Sequence, residues 1–422
     1  MKYKLISLGC KVNSYECSAL ASSFKRKGFL ESDDNPDVVV INTCSVTATA
    51  DQKSRQHIRK MMKLYPNAIC VVMGCYSQGN VKFIAEEIKP QIIIGTSHRH
   101  EILDLIEEYQ KTKQQIIKVD QNTRVFKYEE MGVTSFSENV RAYLKIQDGC
   151  DNFCSYCLIP LRRGKMRSRS KEAVLQEATY LVEQGYPEIV LTGIHVGGYG
   201  QDLENTSFSD LIESLCQIPG MKSLRISSIE ESEIDDKLIG LIKDESCLAN
   251  HLHIPIQSGS KTVLERMNRK YNPEQFLATI DKIKKASPDI ALSTDVIVGF
   301  PGETEEEFQE TVQFIKDCGF HMLHVFPFSA RENTKAYYMK DQISPDVKNA
   351  RAKVLLDLSK ELWDNYTTRF IGKEVEVLVE KYDGGYNIGH TSNYINVKIP
   401  AKSSKIGEKV TVKLQKSMIA SR

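Results

Sequence analysis

Short β-branched runs alternate with segments of helical spacing along the first 125 residues of the chain. The runs predict four strands, at about residues 3–8, 38–42, 69–74 and 92–95. Between them, apolar residues recur at helical spacing and predict helices at about residues 15–27, 51–64 and 81–88. This alternation predicts a small parallel α/β layer.

The same alternation returns between residues 139 and 368. It predicts six strands with helices between them, near residues 142–146, 188–191, 223–227, 251–255, 291–298 and 322–326. Six such units form most of a (β/α) barrel and leave it open on one side, which suits a large substrate. In such barrels the residues that act on the substrate come from the C-terminal ends of the strands.

The last segment, residues 369–422, changes character. Its short strands and glycine turns predict a small antiparallel, OB-like β-barrel. Ten Lys and Arg residues against five Asp and Glu give it a net charge of +5, which fits a nucleic-acid module, although a structural cap fits the pattern too. A polar stretch at about residues 115–140 predicts a linker, with a strand near 123–128. The predicted domains are residues 1–115, 136–368 and 369–422.

Composition narrows the class of protein. The 422 residues are 41% hydrophobic and 26% charged with a net charge of +1, which is typical of a folded, water-soluble protein, so any site for a polyanion must be local. No stretch reaches the roughly 18 apolar residues of a membrane span, and the N-terminus lacks a signal-peptide core, which predicts a cytoplasmic protein with no membrane partner. Eleven cysteines in a reducing compartment indicate metal binding or catalysis rather than disulfides.

Three cysteines follow predicted strands of the first layer. Cys10 follows the first strand, Cys44 the second and Cys75 the third. Because the C-terminal ends of parallel strands lie along one edge of a sheet, where such folds bind ligands, these three thiols can meet in space.

Three further cysteines form a CxxxCxxC run directly after the first strand of the predicted barrel: Cys150, Cys154 and Cys157. Three thiolates this close can hold three irons of a [4Fe–4S] cluster and leave the fourth iron open to an outside ligand. A structural zinc site is the alternative. Zinc, however, takes four closed ligands, usually as paired CxxC units, and no fourth Cys or His lies beside this run.

This run resembles the signature of radical S-adenosylmethionine (SAM) enzymes, and the chain as a whole resembles the methylthiotransferase family of that superfamily. The likeness rests on the motifs at residues 9–13, 42–44, 74–75 and 149–169, and the tail is similar to the RNA-binding TRAM module. The resemblance implies a radical SAM core for the open barrel. It also implies two [4Fe–4S] clusters, one on Cys10, Cys44 and Cys75 and one on Cys150, Cys154 and Cys157.

The resemblance further implies why two clusters are needed. Inserting sulfur at an unactivated C–H bond requires removal of a hydrogen that no protein base can take. In the family, reductive cleavage of SAM at one cluster gives the radical that removes it, while the second cluster donates sulfur and a second SAM donates the methyl group. An electron donor such as flavodoxin or ferredoxin is therefore an expected partner.

The family and the strand positions together indicate six residues for SAM binding: Tyr156, Thr192, Gly193, Ser228, Glu230 and Gln257. Tyr156 holds the place that usually packs near adenine, and core packing is its alternative. The acidic residue of the superfamily's usual Gly-Gly-Glu stretch is absent after the second barrel strand, so the carbonyls of Thr192 and Gly193 are the expected contacts there. Ser228, Glu230 and Gln257 fit helix caps equally well.

Five basic residues lie immediately after the cysteine run: Arg162, Arg163, Lys165, Arg167 and Arg169. Basic clusters are often only solvated surface. Here they flank the predicted open iron, where an RNA backbone would have to pass, and we predict that they contact RNA.

Three branches of the family act on isopentenyladenosine in tRNA, on threonylcarbamoyladenosine in tRNA, or on an aspartate of a small-subunit ribosomal protein. GCKVN at residues 9–13 and RRGKMRSR at residues 162–169 resemble the threonylcarbamoyl branch. The resemblance thus implies methylthiolation of C2 of N(6)-threonylcarbamoyladenosine beside the anticodon, with the tRNA anticodon stem-loop as partner and no role for DNA. The other two substrates stay open as alternatives, as does a non-catalytic iron–sulfur protein that binds RNA.

Overall fold

The computed structural model of the chain describes residues 1–132, 140–400 and 405–420. Residue 136, where the second domain is predicted to begin, lies outside the described residues, as do Ser135, Ser137 and Glu138 of the predicted linker and the last two residues of the third domain. Within the described parts of the chain, no helix is long and apolar enough to cross a membrane.

The N-terminal layer is a six-stranded parallel sheet with strand order β2-β1-β3-β4-β5-β6. Its strands are β1 (Lys2–Ser7), β2 (Leu30–Glu31), β3 (Val38–Thr43), β4 (Ile69–Gly74), β5 (Ile92–Ile94) and β6 (Ile116–Lys118). Its helices are α1 (Lys11–Arg26), α2 (Ala48–Leu64), α3 (Cys75–Gly79), α4 (Val81–Phe83), a π-helical turn (Ile84–Ile88) and α5 (Ile102–Thr112). Every residue of β3 and β4 is buried, because helices cover both faces of the sheet.

The central part contains six further parallel strands around a second, larger core. They are β7 (Arg141–Lys145), β10 (Glu188–Thr192), β11 (Leu224–Ile226), β12 (His251–His253), β13 (Ala291–Val298) and β14 (Met322–Pro327), while β8 (Gln147–Asp148) and β9 (Arg167–Ser168) form a separate antiparallel pair. Parallel bridges from Leu224 to Leu248 and from Ser228 to His253 join the two three-stranded sheets. The result is an open (β/α)6 half-barrel.

Helices connect these strands, and most of them bury their apolar faces against the half-barrel. They are α6 (Ile159–Arg163), α7 (Lys171–Glu183), α8 (Phe208–Cys216), α9 (Asp236–Asp244), α10 (Lys261–Arg266), α11 (Pro273–Ala286), α12 (Glu305–Cys318) and α13 (Pro345–Thr368). Polar caps fix where they begin: Thr304 at α12 and Asn272 at α11 each complete a capping box.

The strand predicted near residues 123–128 is wrong. Residues Thr123–Val125 form a 3-10 helix instead. The Thr123 hydroxyl donates to the carbonyl of Pro160 (3.4 Å), and the Tyr128 hydroxyl donates to the carbonyl of Lys145 (2.8 Å). Because α6 and β7 supply these partners, the segment needs no neighbouring strand and lies packed over the start of the half-barrel.

The C-terminal module is a curled antiparallel sheet with strand order β17-β16-β15-β18. Its strands are β15 (Glu374–Asp383), β16 (Tyr386–Thr391), β17 (Asn396–Pro400) and β18 (Lys409–Lys413). Trp363, Tyr366 and Phe370, at the end of α13 and just after it, share a core with Val377 and Val397 of the module. The structure thus confirms the predicted α/β class with a small antiparallel β-module at its C-terminal end.

Candidate active site

Cys10, Cys44 and Cys75 lie together at one edge of the N-terminal sheet, each where its strand hands over to the next element. A Cβ placed on Gly9 would lie 2.6 Å from the Sγ of Cys44, so the turn after β1 passes the turn after β3 at a distance that only glycine permits. The Asn13 amide donates to the carbonyls of Leu8 (2.6 Å) and Thr43 (3.2 Å) and holds the two turns together.

Cys150, Cys154 and Cys157 follow β8 at the C-terminal mouth of the half-barrel. Gly149 (φ +74°) begins this loop, and a Cβ there would lie 1.9 Å from the carbonyl oxygen of Lys165. The Cys157 amide donates to the carbonyl of Cys154 (3.0 Å), and the Arg269 guanidinium donates to the Sγ of Cys154 (3.3 Å). The loop therefore forms a turn between Cys154 and Cys157, and Arg269, which follows the fourth strand of the half-barrel, binds it from outside the loop.

The spacing of the thiols decides between one metal ion and a cluster. Three ligands of a single zinc ion lie roughly 4 Å apart, since each Zn–S bond is about 2.3 Å. Within the described residues, the three sulfurs of neither cysteine triplet all lie within 4.8 Å of one another. The thiols are still near neighbours, because within each triplet the charge of one thiolate raises the pKa of another thiol. Burial, with Cys154 and Cys150 acting in the same direction, raises the pKa of Cys157 to about 12. This wider spacing suits a polynuclear cluster better than a single zinc ion.

Arg163 connects the two cysteine sites. Its fully buried guanidinium donates through Nε to the Sγ of Cys75 (3.2 Å) and through Nη1 to the carboxylates of Glu16 (3.0 Å) and Asp148 (3.1 Å). Its Nη2 donates to Asn13 Oδ1 (3.2 Å). Arg163 belongs to α6, which directly follows the second cysteine run, so one side chain binds residues of both layers.

A buried network of ion pairs surrounds Arg163. It contains four cations and three carboxylates: Arg99, Lys145, Arg163, Arg167, Glu16, Glu129 and Asp148. Burial alone would raise the pKa of Glu16, but Arg163, Arg99 and Lys145 lower it well below its ordinary value. The network carries one positive charge in excess, which complements a thiolate ligand at Cys75.

Only part of the predicted basic cluster is therefore exposed to solvent. Arg163, Arg167 and Arg169 are buried and bound to carboxylates; Arg169 contacts Glu130 and Glu177 (both 2.7 Å). These three side chains, which were predicted to contact RNA, present no exposed cation to it here, because each is buried and paired with a carboxylate. Lys165 is exposed. Arg162 is half-buried against Gly79, beside Cys75.

The residues predicted to bind SAM lie around the mouth of the half-barrel. Tyr156 packs edge-on against Phe300, with ring centroids 6.4 Å apart. The carbonyl of Thr192 accepts from the amide of Ile146 (3.0 Å), which leaves one lone pair, and Gly193 follows it. Both Thr192 and Gly193 line a cavity, described below.

The other three residues predicted to bind SAM differ in whether the protein already binds their polar groups. Ser228 lines the same cavity as Thr192. The Glu230 carboxylate is bound by Arg269. Gln257 has a left-handed backbone (φ 58°) at the point where its segment pairs with β13, a conformation that costs energy for a non-glycine residue and is typical of functional sites.

His195 is a residue that sequence reasoning did not assign. Its Nε2 lies 2.5 Å from a carboxylate oxygen of Glu233 and 3.3 Å from the Asn152 amide. Burial alone would lower the pKa of His195, but Cys150 and Glu233 raise it to about 10. The sequence signal that could have identified His195 is its position three residues after β10, because residues at the C-terminal ends of the barrel strands lie near the cysteine run.

A cavity of about 480 Å³ opens beside Cys10, between the N-terminal layer, the half-barrel and the C-terminal module. Its wall combines residues from all three parts of the chain: Cys10 and Lys11 before and within α1, Thr192 and Ser228 at barrel strand ends, and Tyr394 from the turn after β16. The volume falls within the range of small-molecule sites, roughly 300–1,000 Å³.

Comparison with known families gives three matches in chain order. The sequence matches the uncharacterized protein family UPF0004 at residues 2–95, the Radical SAM superfamily at residues 144–315 and the TRAM domain at residues 368–418. Among solved structures, the radical S-adenosylmethionine methyltransferase TsrM from Kitasatospora setae superposes with a TM-score of 0.62 over 80% of this chain and 77% of its own. At 13% identity, that likeness shows a shared fold.

Curated relatives match over nearly the full length. The threonylcarbamoyladenosine tRNA methylthiotransferase MtaB of Bacillus subtilis is 45% identical over 97% of this chain and 93% of its own, and the MtaB of Aquifex aeolicus is 36% identical over 94% and 96%. A tRNA-2-methylthio-N(6)-dimethylallyladenosine synthase of Clostridium botulinum is 34% identical over 97% and 93%. With its two cysteine sites, its half-barrel and these relatives, the chain belongs to the radical SAM methylthiotransferase family, in its MtaB-type branch.

Proposed function

We propose that the protein is a tRNA-modifying enzyme that methylthiolates C2 of N(6)-threonylcarbamoyladenosine at position 37, beside the anticodon. The family supports this reaction class, and the MtaB relatives, at up to 45% identity, support this substrate. The product is 2-methylthio-N(6)-threonylcarbamoyladenosine.

The observation that carries this proposal is the shared wall of the cavity. Cys10 lines it, and so do Thr192 and Gly193 at the mouth of the half-barrel. A nucleobase in that space would lie next to the Cys10 site, which is to donate sulfur, and next to the mouth of the half-barrel, where the radical is to form. Both must be near the same carbon, because that carbon loses a hydrogen and gains a sulfur.

Each cysteine triplet is assigned a [4Fe–4S] cluster on the geometry given above. We assign Cys150, Cys154 and Cys157 to the cluster that binds and cleaves SAM, and Cys10, Cys44 and Cys75 to the one that donates sulfur. When bound, these groups supply the electron that cleaves SAM and the sulfur that enters the product. Tyr156, Thr192, Gly193, Ser228, Glu230 and Gln257 are the residues that we assign to SAM.

The remaining part of the chain serves these sites. The ion pairs of Arg163 hold the two cysteine sites in one rigid unit, and burial around them excludes water that would quench a radical. Exposed Lys165 and half-buried Arg162 stay candidates for contact with the tRNA backbone, together with the basic module at residues 369–422. An external electron donor, such as flavodoxin or ferredoxin, completes the proposed partners.

The proposal is tested with anaerobically reconstituted enzyme, SAM, a reductant and three substrates. These are anticodon stem-loops with threonylcarbamoyladenosine or with isopentenyladenosine, and small-subunit ribosomal protein. We expect a mass gain matching a methylthio group in the first alone. A gain confined to the isopentenyl stem-loop or to the ribosomal protein would reassign the substrate, and absence of 5'-deoxyadenosine in every reaction would refute a radical SAM enzyme.

A further inference from the structure

Lys11 is a cation without a partner in the wall of the cavity beside Cys10. It is the first residue of α1 and is half-buried, and no hydrogen bond or ion pair joins it to any residue that the structure describes. Burial, with the charges of Arg141 and Arg225 acting in the same direction, lowers the pKa of Lys11, and Tyr394 and Glu188 only partly offset this, so an added anion would stabilise its charged form. A partly desolvated ammonium without an anion is unfavourable, so cations in such places normally have a carboxylate or phosphate beside them.

The rest of the cavity offers Lys11 no anion. None of its described lining residues is an aspartate or a glutamate. The second strong cation, Arg225, is already bound to Glu188 (2.8 Å) and lies over the ring of Tyr394, 4.4 Å from its centroid. The cavity thus has an unsatisfied positive charge at one point, next to the site of the sulfur-donating cluster.

The other lining residues fit a modified adenosine. Val12 and Ile226 give apolar contact for a base, while Ser227 and Ser228 add hydroxyl groups that can bind a polar substituent. Threonylcarbamoyladenosine combines these features, since a neutral purine carries a side arm that ends in a hydroxyl and a carboxylate. An isopentenyl arm has neither group.

We propose that Lys11 binds the carboxylate of the threonylcarbamoyl group and thereby selects this nucleoside over those with an uncharged N(6) substituent. This inference rests on the proposed function and adds the residue that sets its specificity. A charge-assisted hydrogen bond in a partly buried site is strong enough to select between substrates.

SAM is the rival source of a carboxylate. We assign the SAM that is cleaved to the Cys150, Cys154 and Cys157 site, where Arg269 lies 3.3 Å from the Sγ of Cys154. Lys11 adjoins Cys10 at the other site instead. A SAM-binding measurement therefore distinguishes the two sources.

The experiment measures binding of labelled stem-loops to the reconstituted holoenzyme by fluorescence anisotropy, with SAM affinity measured in parallel. The stem-loops carry threonylcarbamoyladenosine, the same nucleoside with its carboxylate converted to an amide, or unmodified adenosine. Lys11→Met should weaken binding of the first about tenfold and leave the other two and SAM unchanged. Lys11→Arg should restore most of the loss, and Lys25→Met, at the exposed end of the same helix, should change nothing.

The outcomes separate the two proposals. If the wild-type enzyme prefers the threonylcarbamoyl stem-loop and Lys11→Met keeps that preference, the role of Lys11 is refuted. Equal weakening of all three stem-loops would make Lys11 a backbone contact, and loss of SAM affinity would assign it to SAM; both refute the inference. A wild-type enzyme that binds all three stem-loops equally would also refute the role of Lys11, whereas the proposed function stands or falls by the gain of a methylthio group on the threonylcarbamoyl stem-loop. Iron content checks folding, and Lys11→Gln replaces Lys11→Met if that variant loads no iron.

Discussion

Arg163 links the Cys75 site to Asp148, which directly precedes the loop that carries the second cysteine run. It donates to Cys75, Glu16, Asp148 and Asn13 from a fully buried position. Removing one partner of a buried network leaves the others without their hydrogen bonds, which costs more than the net strength of the interaction.

Arg163→Gln should therefore lower the free energy of unfolding by about 3 kcal/mol, because its acceptors stay buried. Denaturant unfolding of the apoprotein measures this. Lys165→Gln, two residues away and exposed, is the matched control and should change the value by no more than about 0.5 kcal/mol. Equal, small effects of both substitutions would contradict the network described here.

The cysteines separate into two roles. Cys75→Ala should keep the formation of 5'-deoxyadenosine and abolish sulfur insertion, whereas Cys154→Ala should abolish both, because only the second removes a ligand of the proposed SAM-cleaving site. Chromatography of 5'-deoxyadenosine and of the modified nucleoside checks both. Cys70→Ala in β4 is the control: this thiol is buried in the sheet, so its loss should leave both products. Loss of SAM cleavage in a folded Cys75→Ala protein would refute the separation.

Single residues differed in how far the sequence could predict them. The proximity of Cys10, Cys44 and Cys75 was predictable because strand ends are visible in the hydrophobic pattern and share one edge of a sheet, and Cys150, Cys154 and Cys157 are neighbours in the sequence itself. The burial of Arg163, Arg167 and Arg169 was not predictable. Arg163 pairs with Glu16, Arg167 with Asp148, and Arg169 with Glu130 and Glu177, and only the fold brings these partners together. His195 and Arg269 contact cysteines across the barrel for the same reason.

At the scale of elements, tight turns position the cysteines. Gly74, between β4 and α3, has φ +105°, and a Cβ there would lie 2.5 Å from the carbonyl oxygen of Thr43. A side chain would have to push apart the two turns that hold Cys44 and Cys75.

Gly74→Ala should therefore reduce the iron content by about one cluster of the two, because the turn that carries Cys75 must move. Iron analysis and the electron paramagnetic resonance of the reduced protein test this. Gly28→Ala is the control: Gly28 also has a positive φ (+77°), but no atom lies within 4 Å of the added Cβ, so it should cost only about 1 kcal/mol of stability and no iron. Full iron loading of Gly74→Ala would show that the turn is not what positions Cys75.

The elements themselves were largely predictable because parallel strands covered on both faces give continuous apolar runs. The exception is the segment near residues 123–128, whose apolar residues look like a strand. Its partners are Pro160 and Lys145, which local pattern does not reveal. Tyr394 was unpredictable too, because a turn of the C-terminal module enters the cavity only through the packing of that module.

At the scale of the whole molecule, buried carboxylates join the layers. Glu129, from the predicted linker, binds Arg99 of the N-terminal layer (2.7 Å). Burial alone would raise the pKa of Glu129, but Arg99 and His100 lower it from 4.5 to about 2. A carboxyl with a lowered pKa stabilises the fold above its unfolded pKa, and this stabilisation is lost as the pH falls towards the folded value.

The apoprotein should accordingly lose stability as the pH falls from about 4.5 towards 2, with Glu129 contributing at most about 3 kcal/mol to the change. Urea unfolding at several pH values measures it. Glu129→Gln should flatten the decline in this range, whereas Glu130→Gln, at a carboxylate that is 51% exposed, should leave the slope nearly unchanged. Identical slopes in wild type and Glu129→Gln would contradict the assignment.

The central claim is that this chain adds a methylthio group to threonylcarbamoyladenosine in tRNA. Mass spectrometry of nucleosides from the total tRNA of a strain lacking this gene, compared with its parent and with a complemented strain, tests it most directly. We expect 2-methylthio-N(6)-threonylcarbamoyladenosine to disappear and its unthiolated precursor to accumulate. The reintroduced gene should restore the product, and its Cys154→Ala variant should not. An unchanged level of the methylthiolated nucleoside in the deletion strain would contradict this assignment.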